Sequence, residues 1–178
     1  MTTAAVTELD AADLRLLALL QDDASLSNQA LAEAAHLSAA TCHRRVQRLT
    51  ALGLVDKRVA ILNPQRLADI TGWGLSVLVE ITLDVQTAEA LDAFEGHAVA
   101  EAAVQQCWRV SPGPDFVLVV QVADMPTYHE LSRRLFTEHS QVRNVRAFFA
   151  VKRAKFGTAL PLPTALSTGQ ARLKAGAE

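Results

Sequence analysis

Between Ser38 and Arg58 the chain carries Arg44, Arg45, Arg48, Lys57 and Arg58 against a single acid, Asp56, a local charge of +4 in a protein whose formal net charge is −2. Cations gathered this way suit one chemistry above others, the neutralisation of nucleic-acid phosphates, in which displaced counterions drive association. Other chemistries find less material. Cys42 and His43 are adjacent and so diverge on a helix, and neither Cys42 nor Cys107 sits in a metal-holding spacing, so no metal is expected. Both cysteines fall in stretches that read as core-facing, which suits a reducing compartment.

Arginines reach a duplex together only from a rigid element, and the surrounding sequence supplies one. Ser27 and Ser38, eleven residues apart, can each cap a short helix, with Leu26 placed to staple onto Leu31. Ala30, Leu31 and Ala34 give the first helix a small apolar face, and Cys42, Val46, Leu49 and Leu52 form a helical stripe on the second. Gly53 stops that helix, and only His36-Leu-Ser38 separates the two, the connection of a helix-turn-helix. Asp10 or Asp13 can cap an earlier helix buried through Leu9, Leu16, Leu17 and Leu20. Capped helices with solvated arginines are ordinary in any small helical unit; the concentration of charge on one stretch is what favours DNA. Leu54 to Leu62 reads as a strand or wing with Lys57 and Arg58 near phosphates, Asn63-Pro64 ends it, and Gln65 to Gly72 reads as a linker.

The second half changes character. Leu75, Val77, Val79, Ile81 and Leu83 alternate in a strand that begins at Trp73. Thr87 can cap a helix bearing Ala88, Leu91 and Phe94 and ending near Gly96-His97. Strands follow over about Val104 to Val110 and Phe116 to Val122, around the turn Ser111-Pro-Gly-Pro114. A helix from about Pro126 turns Tyr128, Leu131, Leu135 and Phe136 inward, and a last strand spans Val142 to Val151. The order is β-α-β-β-α-β, the ferredoxin-like split motif. Phe116 to Val120 is apolar at every position, so both faces of that strand require cover, and a second copy of the chain is the simplest source. The expected class is therefore α+β: an N-terminal winged helix-turn-helix and a C-terminal ferredoxin-like βαββαβ domain that dimerises through its sheet. Boundaries are expected at 1–62 for the DNA-binding domain, 63–72 for the linker, 73–156 for the second domain and 157–178 for a tail. No apolar run approaches a membrane span, and residues 1–10 hold no basic or apolar leader, so a cytoplasmic location is expected.

Leu9-Asp10-x-x-Asp13, Leu37-Ser-x-x-Thr-Cys42, Arg45-Val-x-Arg-Leu49, Gly53-Leu-Val, Leu62-Asn-Pro64, Val79-Glu-Ile-Thr-Leu83 and Asp115-Phe-x-Leu118 follow one another in an order that resembles the Lrp/AsnC family of transcriptional regulators, over about residues 8 to 156. The resemblance implies a non-enzymatic regulator without a cofactor. Its second motif helix would enter the major groove with Ser38, Thr41, His43, Arg44, Arg45, Gln47 and Arg48, flanked by Lys57 and Arg58. It implies homodimers on pseudo-palindromic double-stranded DNA, assembling further into tetramers or octamers, and an amino-acid effector bound between C-terminal domains. The positions matching the effector region are Trp108, Arg109, Gly113, Asp115, Phe116, Met125, Phe148 and Phe149. Two departures stand out. His36 replaces the family's glycine before Leu37, which histidine tolerates because it visits left-handed backbone. The acid-and-aromatic loop retains only Asp115 and Phe116 behind Pro112-Gly-Pro114, so a hairpin without ligand is the alternative there.

Two other functions fit the same architecture. Siroheme decarboxylases resemble it and would need histidines such as His97, His129 and His139 around a cavity; a ligand-sensing module acting through protein partners would need no DNA at all. Arg143, Arg146, Lys152, Arg153 and Lys155 read as a solvated strand edge in preference to a second DNA-facing patch. Leu160-Pro-Leu-Pro163 reads as extended, Thr164 to Lys174 as a loose helix, and this tail as draped on a neighbouring subunit or mobile.

Overall fold

A computed structural model describes residues 9–72, 74–138 and 141–163. His139 and the helix expected over Thr164 to Lys174 lie outside them. The chain divides into two compact units. Among the described residues, one contains those from Leu9 to Ala60 together with Phe156–Pro163, and the other those within Ile61–Lys155. The described part of the segment read as a separate tail thus groups with the helices at the opposite end of the sequence.

The first unit holds α1 (Ala11–Asp22), α2 (Asn28–Ala35) and α3 (Ala39–Ala51). Each starts at a side-chain cap. Asp10 accepts from the N–H groups of Ala12 and Asp13, and Asp13 accepts the Asp10 N–H in return, so the two acids expected as alternative caps form one capping box. Ser27 and Ser38 cap α2 and α3 as their spacing suggests. His36 ends α2 at φ 57°, ψ 47°, the left-handed position that a glycine would fill without strain. Leu16, Leu17, Leu31, Ala32, Ala35, Cys42 and Leu49 form the core, with Leu26 and Val46 packed against it. Two details differ from expectation. On α2 it is Ala32 and Ala35 that turn inward with Leu31 while Ala34 is exposed, because an alanine-rich helix gives periodicity little contrast to act on. Leu52 stays 39% exposed past the end of the stripe. The expected wing strand is absent: residues 55–63 have no regular structure, and those from Asp56 onward are exposed.

The second unit begins with α4 (Pro64–Thr71) in place of an irregular linker. Asn63 caps it through the Arg66 N–H, Pro64 occupies the first turn, and Gly72 closes it at φ 70°. A four-stranded antiparallel sheet follows, ordered β2-β3-β1-β4, from β1 (Leu75–Leu83), β2 (Val104–Arg109), β3 (Phe116–Val122) and β4 (Val142–Phe149). This is the ferredoxin-like order. α5 (Ala88–Ala100) runs through Gly96 for another turn, since one glycine weakens a helix without ending it. α6 (Met125–Ser132) continues into a π-helical turn over Arg133–Thr137. Phe94 and Ala98 of α5 join Tyr128, Leu131, Leu135 and Phe136 over one sheet face, burying Val77, Val79, Ile81, Leu83, Phe116, Leu118 and Val120. The opposite face carries Leu78, Val117, Val119, Trp108 and Phe148, of which Leu78, Trp108 and Phe148 are 44%, 58% and 45% exposed.

Candidate nucleic-acid interface and effector region

Helix α3 sorts its side chains around three directions. Cys42, Val46 and Leu49 pack inward; Arg45 and Arg48 turn to α1; Ala40, Arg44, Gln47 and Ala51 share the outward face at i, i+4, i+7 and i+11. His43 borders that face and is exposed. An open cleft of about 450 Å³ borders it, lined by residues that include His43, Gln47, Arg58, Leu26, Leu31 and Val46.

The turn toward α1 changes the part that two arginines play. Asp13 is the one fully buried charged side chain among the described residues. Arg45 Nη1 donates to Asp13 Oδ1 and to Asp10 Oδ2, both at 2.8 Å, and Arg48 Nη2 donates to Asp13 Oδ2. Hydrogen bonds to Asp13 and Asp10 hold the Arg45 guanidinium above its ordinary value. Burial pushes the Asp10 carboxyl up, but the Asp13 N–H and Arg45 outweigh it and hold it below 3.8. Arg45 Nε is buried with no hydrogen-bond partner. Arg45 therefore fastens α3 to α1, contrary to its reading as a groove contact, and Arg48, 43% exposed, keeps only an open edge. Sequence spacing could not show this, because the partners lie 32 to 35 residues away.

Ser38 and Thr41 are also occupied locally. The Ser38 hydroxyl donates to Thr41 Oγ1 at 2.9 Å and accepts the Thr41 N–H at 3.3 Å, so both act at the helix start. Lys57 and Arg58 are exposed on the irregular segment after Gly53.

The eight positions expected to meet an effector do not gather within one chain. Trp108 and Phe148 lie on the open face of the sheet, whereas Phe116 is in the core and Phe149 packs edge-on against Tyr128 at 5.2 Å. Gly113 and Asp115 sit by the end of β1 marked by Ile81 and Leu83; Phe149 pairs with Val77 near the other end, where β3 leads into Met125. Four to six residues of strand separate the two groups, about 14–20 Å. The charged members are committed inside the chain. Arg109 pairs with Asp92 at 2.7 Å and Glu95 at 2.8 Å on α5, its guanidinium lying 5.6 Å from the Phe116 ring centre. Asp115 Oδ2 accepts the Leu83 N–H at 2.7 Å, and the Asp115 N–H donates to the Ile81 carbonyl at 2.8 Å, which fixes the β2–β3 hairpin against the end of β1.

Among the described residues no group of three or more histidine, cysteine or acidic side chains gathers as a metal site, and no helix is long and apolar enough to cross a membrane. A capped helix-turn-helix joined to a ferredoxin-like domain defines a two-domain DNA-binding regulator. The family comparisons agree: residues 9–56 match a winged helix-turn-helix DNA-binding domain, and residues 76–160 match the Lrp/AsnC ligand-binding domain. The chain is 36% identical over 154 residues to the DNA-binding transcriptional activator DecR of Escherichia coli K12, covering 86% of this chain and 99% of that one. Among solved structures, an AsnC family transcriptional regulator from Agrobacterium tumefaciens superposes with a TM-score of 0.77 at 29% identity, over 86% of this chain and 97% of that one. A Neisseria meningitidis transcriptional regulator in complex with L-methionine gives 0.76 at 25% identity, over 86% and 96%. The chain belongs to the Lrp/AsnC family of transcriptional regulators and is not an enzyme, which sets the decarboxylase alternative aside.

Proposed function

We propose that this regulator reads pseudo-palindromic double-stranded DNA as a homodimer, with Arg44 and Gln47 of α3 directed at base edges or phosphates in the major groove. The observation that carries this reading is the outward face of α3: Arg44 and Gln47 project from it, and α1 fixes the helix from behind through Arg45. His43 and the open edge of Arg48 border the contact, and Lys57 and Arg58 meet flanking phosphates from their exposed segment. The second chain docks on the open sheet face, where Leu78, Val119, Phe148 and Trp108 present apolar surface that solvent would not otherwise leave bare. Dimers then assemble into tetramers or octamers, in the cytoplasm where such sites occur.

An amino acid is the proposed effector, on the strength of the family's ligand-binding domain and of the methionine held by the Neisseria relative. The split placement of the candidate residues supports a site completed by more than one chain. Gly113 and Asp115 would come from one subunit, and Met125 and Phe149 from another. Because Arg109 and Asp115 already have partners, effector binding here depends more on backbone groups and aromatic surface than on a new ion pair. Gel-shift titration against duplex DNA from upstream of the gene tests DNA recognition, with weakening expected as salt rises. Sedimentation across an amino-acid panel tests the effector: a ligand that redistributes oligomers supports the reading, and one distribution throughout overturns it.

A further inference from the structure

We propose that residues Phe156–Pro163 form a strap which, by gripping the C-terminal end of α1, sets the position of the arginine-bearing helix α3. The strap deepens the DNA-binding reading and rests on it. Its anchor is the side-chain amide of Gln21, which imitates a strand edge: Gln21 Nε2 donates to the Leu160 carbonyl at 3.2 Å, and the Leu160 N–H donates to Gln21 Oε1 at 2.6 Å. Both backbone polar groups of Leu160 are thereby satisfied by one side chain. Pro161 has no N–H to offer a competing contact, and together with Pro163 it keeps the segment extended. Two residues on, Leu162 packs against the core cluster of the DNA-binding unit, which includes Leu16, Leu17 and Leu31. Polar pairing at 160 and apolar packing at 162 make this attachment specific.

What the attachment reaches matters more than its strength. Gln21 lies in the last turn of α1, and Asp13 lies eight residues earlier, about 12 Å along the helix axis. Asp13 is the buried carboxylate that holds Arg45 and Arg48 of α3. A single helix therefore carries the strap at one end and the recognition helix at the other. Lys155, the last residue of the ligand-binding unit, is bonded directly to Phe156. That unit is thus tied by the chain to the DNA-binding unit at both of its ends, at Ala60–Ile61 and at Lys155–Phe156.

The test uses the full chain with Gln21→Met, which keeps side-chain length and removes both hydrogen bonds, and separately Leu162→Ala. Amide hydrogen exchange across α1 and α3 and affinity for the upstream duplex at fixed salt are both read. Both variants are expected to speed exchange in the last turn of α1 by about threefold to tenfold, the scale of one or two net hydrogen bonds, and to weaken duplex binding in step. Unchanged exchange in both variants overturns the strap. Faster exchange in α1 with unaltered duplex affinity overturns its role in placing α3. Exchange needs no DNA, so failure of the wild-type chain to bind any duplex would count against the DNA-binding reading alone.

Discussion

Three arginines on one helix divide between two directions, Arg44 outward and Arg45 and Arg48 toward Asp13 of α1, and their sequence gives no hint of it. Arg44 faces outward; alanine there should weaken duplex binding and lower the slope of log affinity against log salt by about 1 per subunit, about 2 for the proposed dimer, provided it meets phosphate, as titration at several salt concentrations would show. Arg45→Ala should act first on folding, because it strips a charge-assisted partner from buried Asp13: a loss of about 1.5–3 kcal/mol in the first unit by urea denaturation, with Arg48 retaining part of the pairing. A different carboxylate reports on the second unit. Hydrogen bonds from Arg134, at 2.8 and 2.9 Å, outweigh burial and hold the Glu101 carboxyl below its ordinary 4.5. A depressed native value contributes stability above the unfolded value and loses it as pH falls through the native one. The urea midpoint of that unit should therefore drop below about pH 4.5, and less steeply in Glu101→Gln.

At the scale of elements, caps and alternation were the legible signals. Asp10, Ser27, Ser38 and Thr87 each start the helix that their position implies, and β1 buries Val77, Val79, Ile81 and Leu83 as its period of two requires. Ser38→Ala should accordingly cost about 1 kcal/mol through the lost cap of α3, measured by thermal melting. Phe94, its ring tilted against that of Phe116 with centres 4.9 Å apart in the second core, should cost about 3–5 kcal/mol as alanine. What stayed hidden depended on long-range partners. The segment after Gly53 alternates in sequence, but an edge strand needs a neighbour to pair with, and none forms among the described residues. The stretch read as a linker from Gln65 to Gly72 is bracketed by helix signals in Asn63, Pro64 and Gly72, which yield a helix with no buried residue; its charge and polarity masked it. The effector positions could be matched one by one, yet strand alternation sends Trp108 and Arg109 to opposite faces, a split visible only once the strands are registered.

For the whole molecule, assembly decides how much of this matters. Phe148→Glu on the open sheet face, beside Leu78, should convert the proposed dimer to monomer in sedimentation and make the melting temperature lower and independent of protein concentration, and it should weaken binding to paired half-sites more than to a single one. The buried Asp13 then has an effect beyond fastening two helices. A recognition surface whose raw count is five cations arrives at the duplex with two of them already neutralised by carboxylates of its own chain. In the proposed complex Arg44, Lys57 and Arg58 would be the cations left to displace condensed ions, about three per subunit and about six per dimer, for a slope of about −5.4. On the proposed contacts a regulator so tempered would let go of arbitrary genomic sequence easily and dwell where shape and base pattern match, so that the search through competing sites would be shortened by a residue that never touches the chromosome.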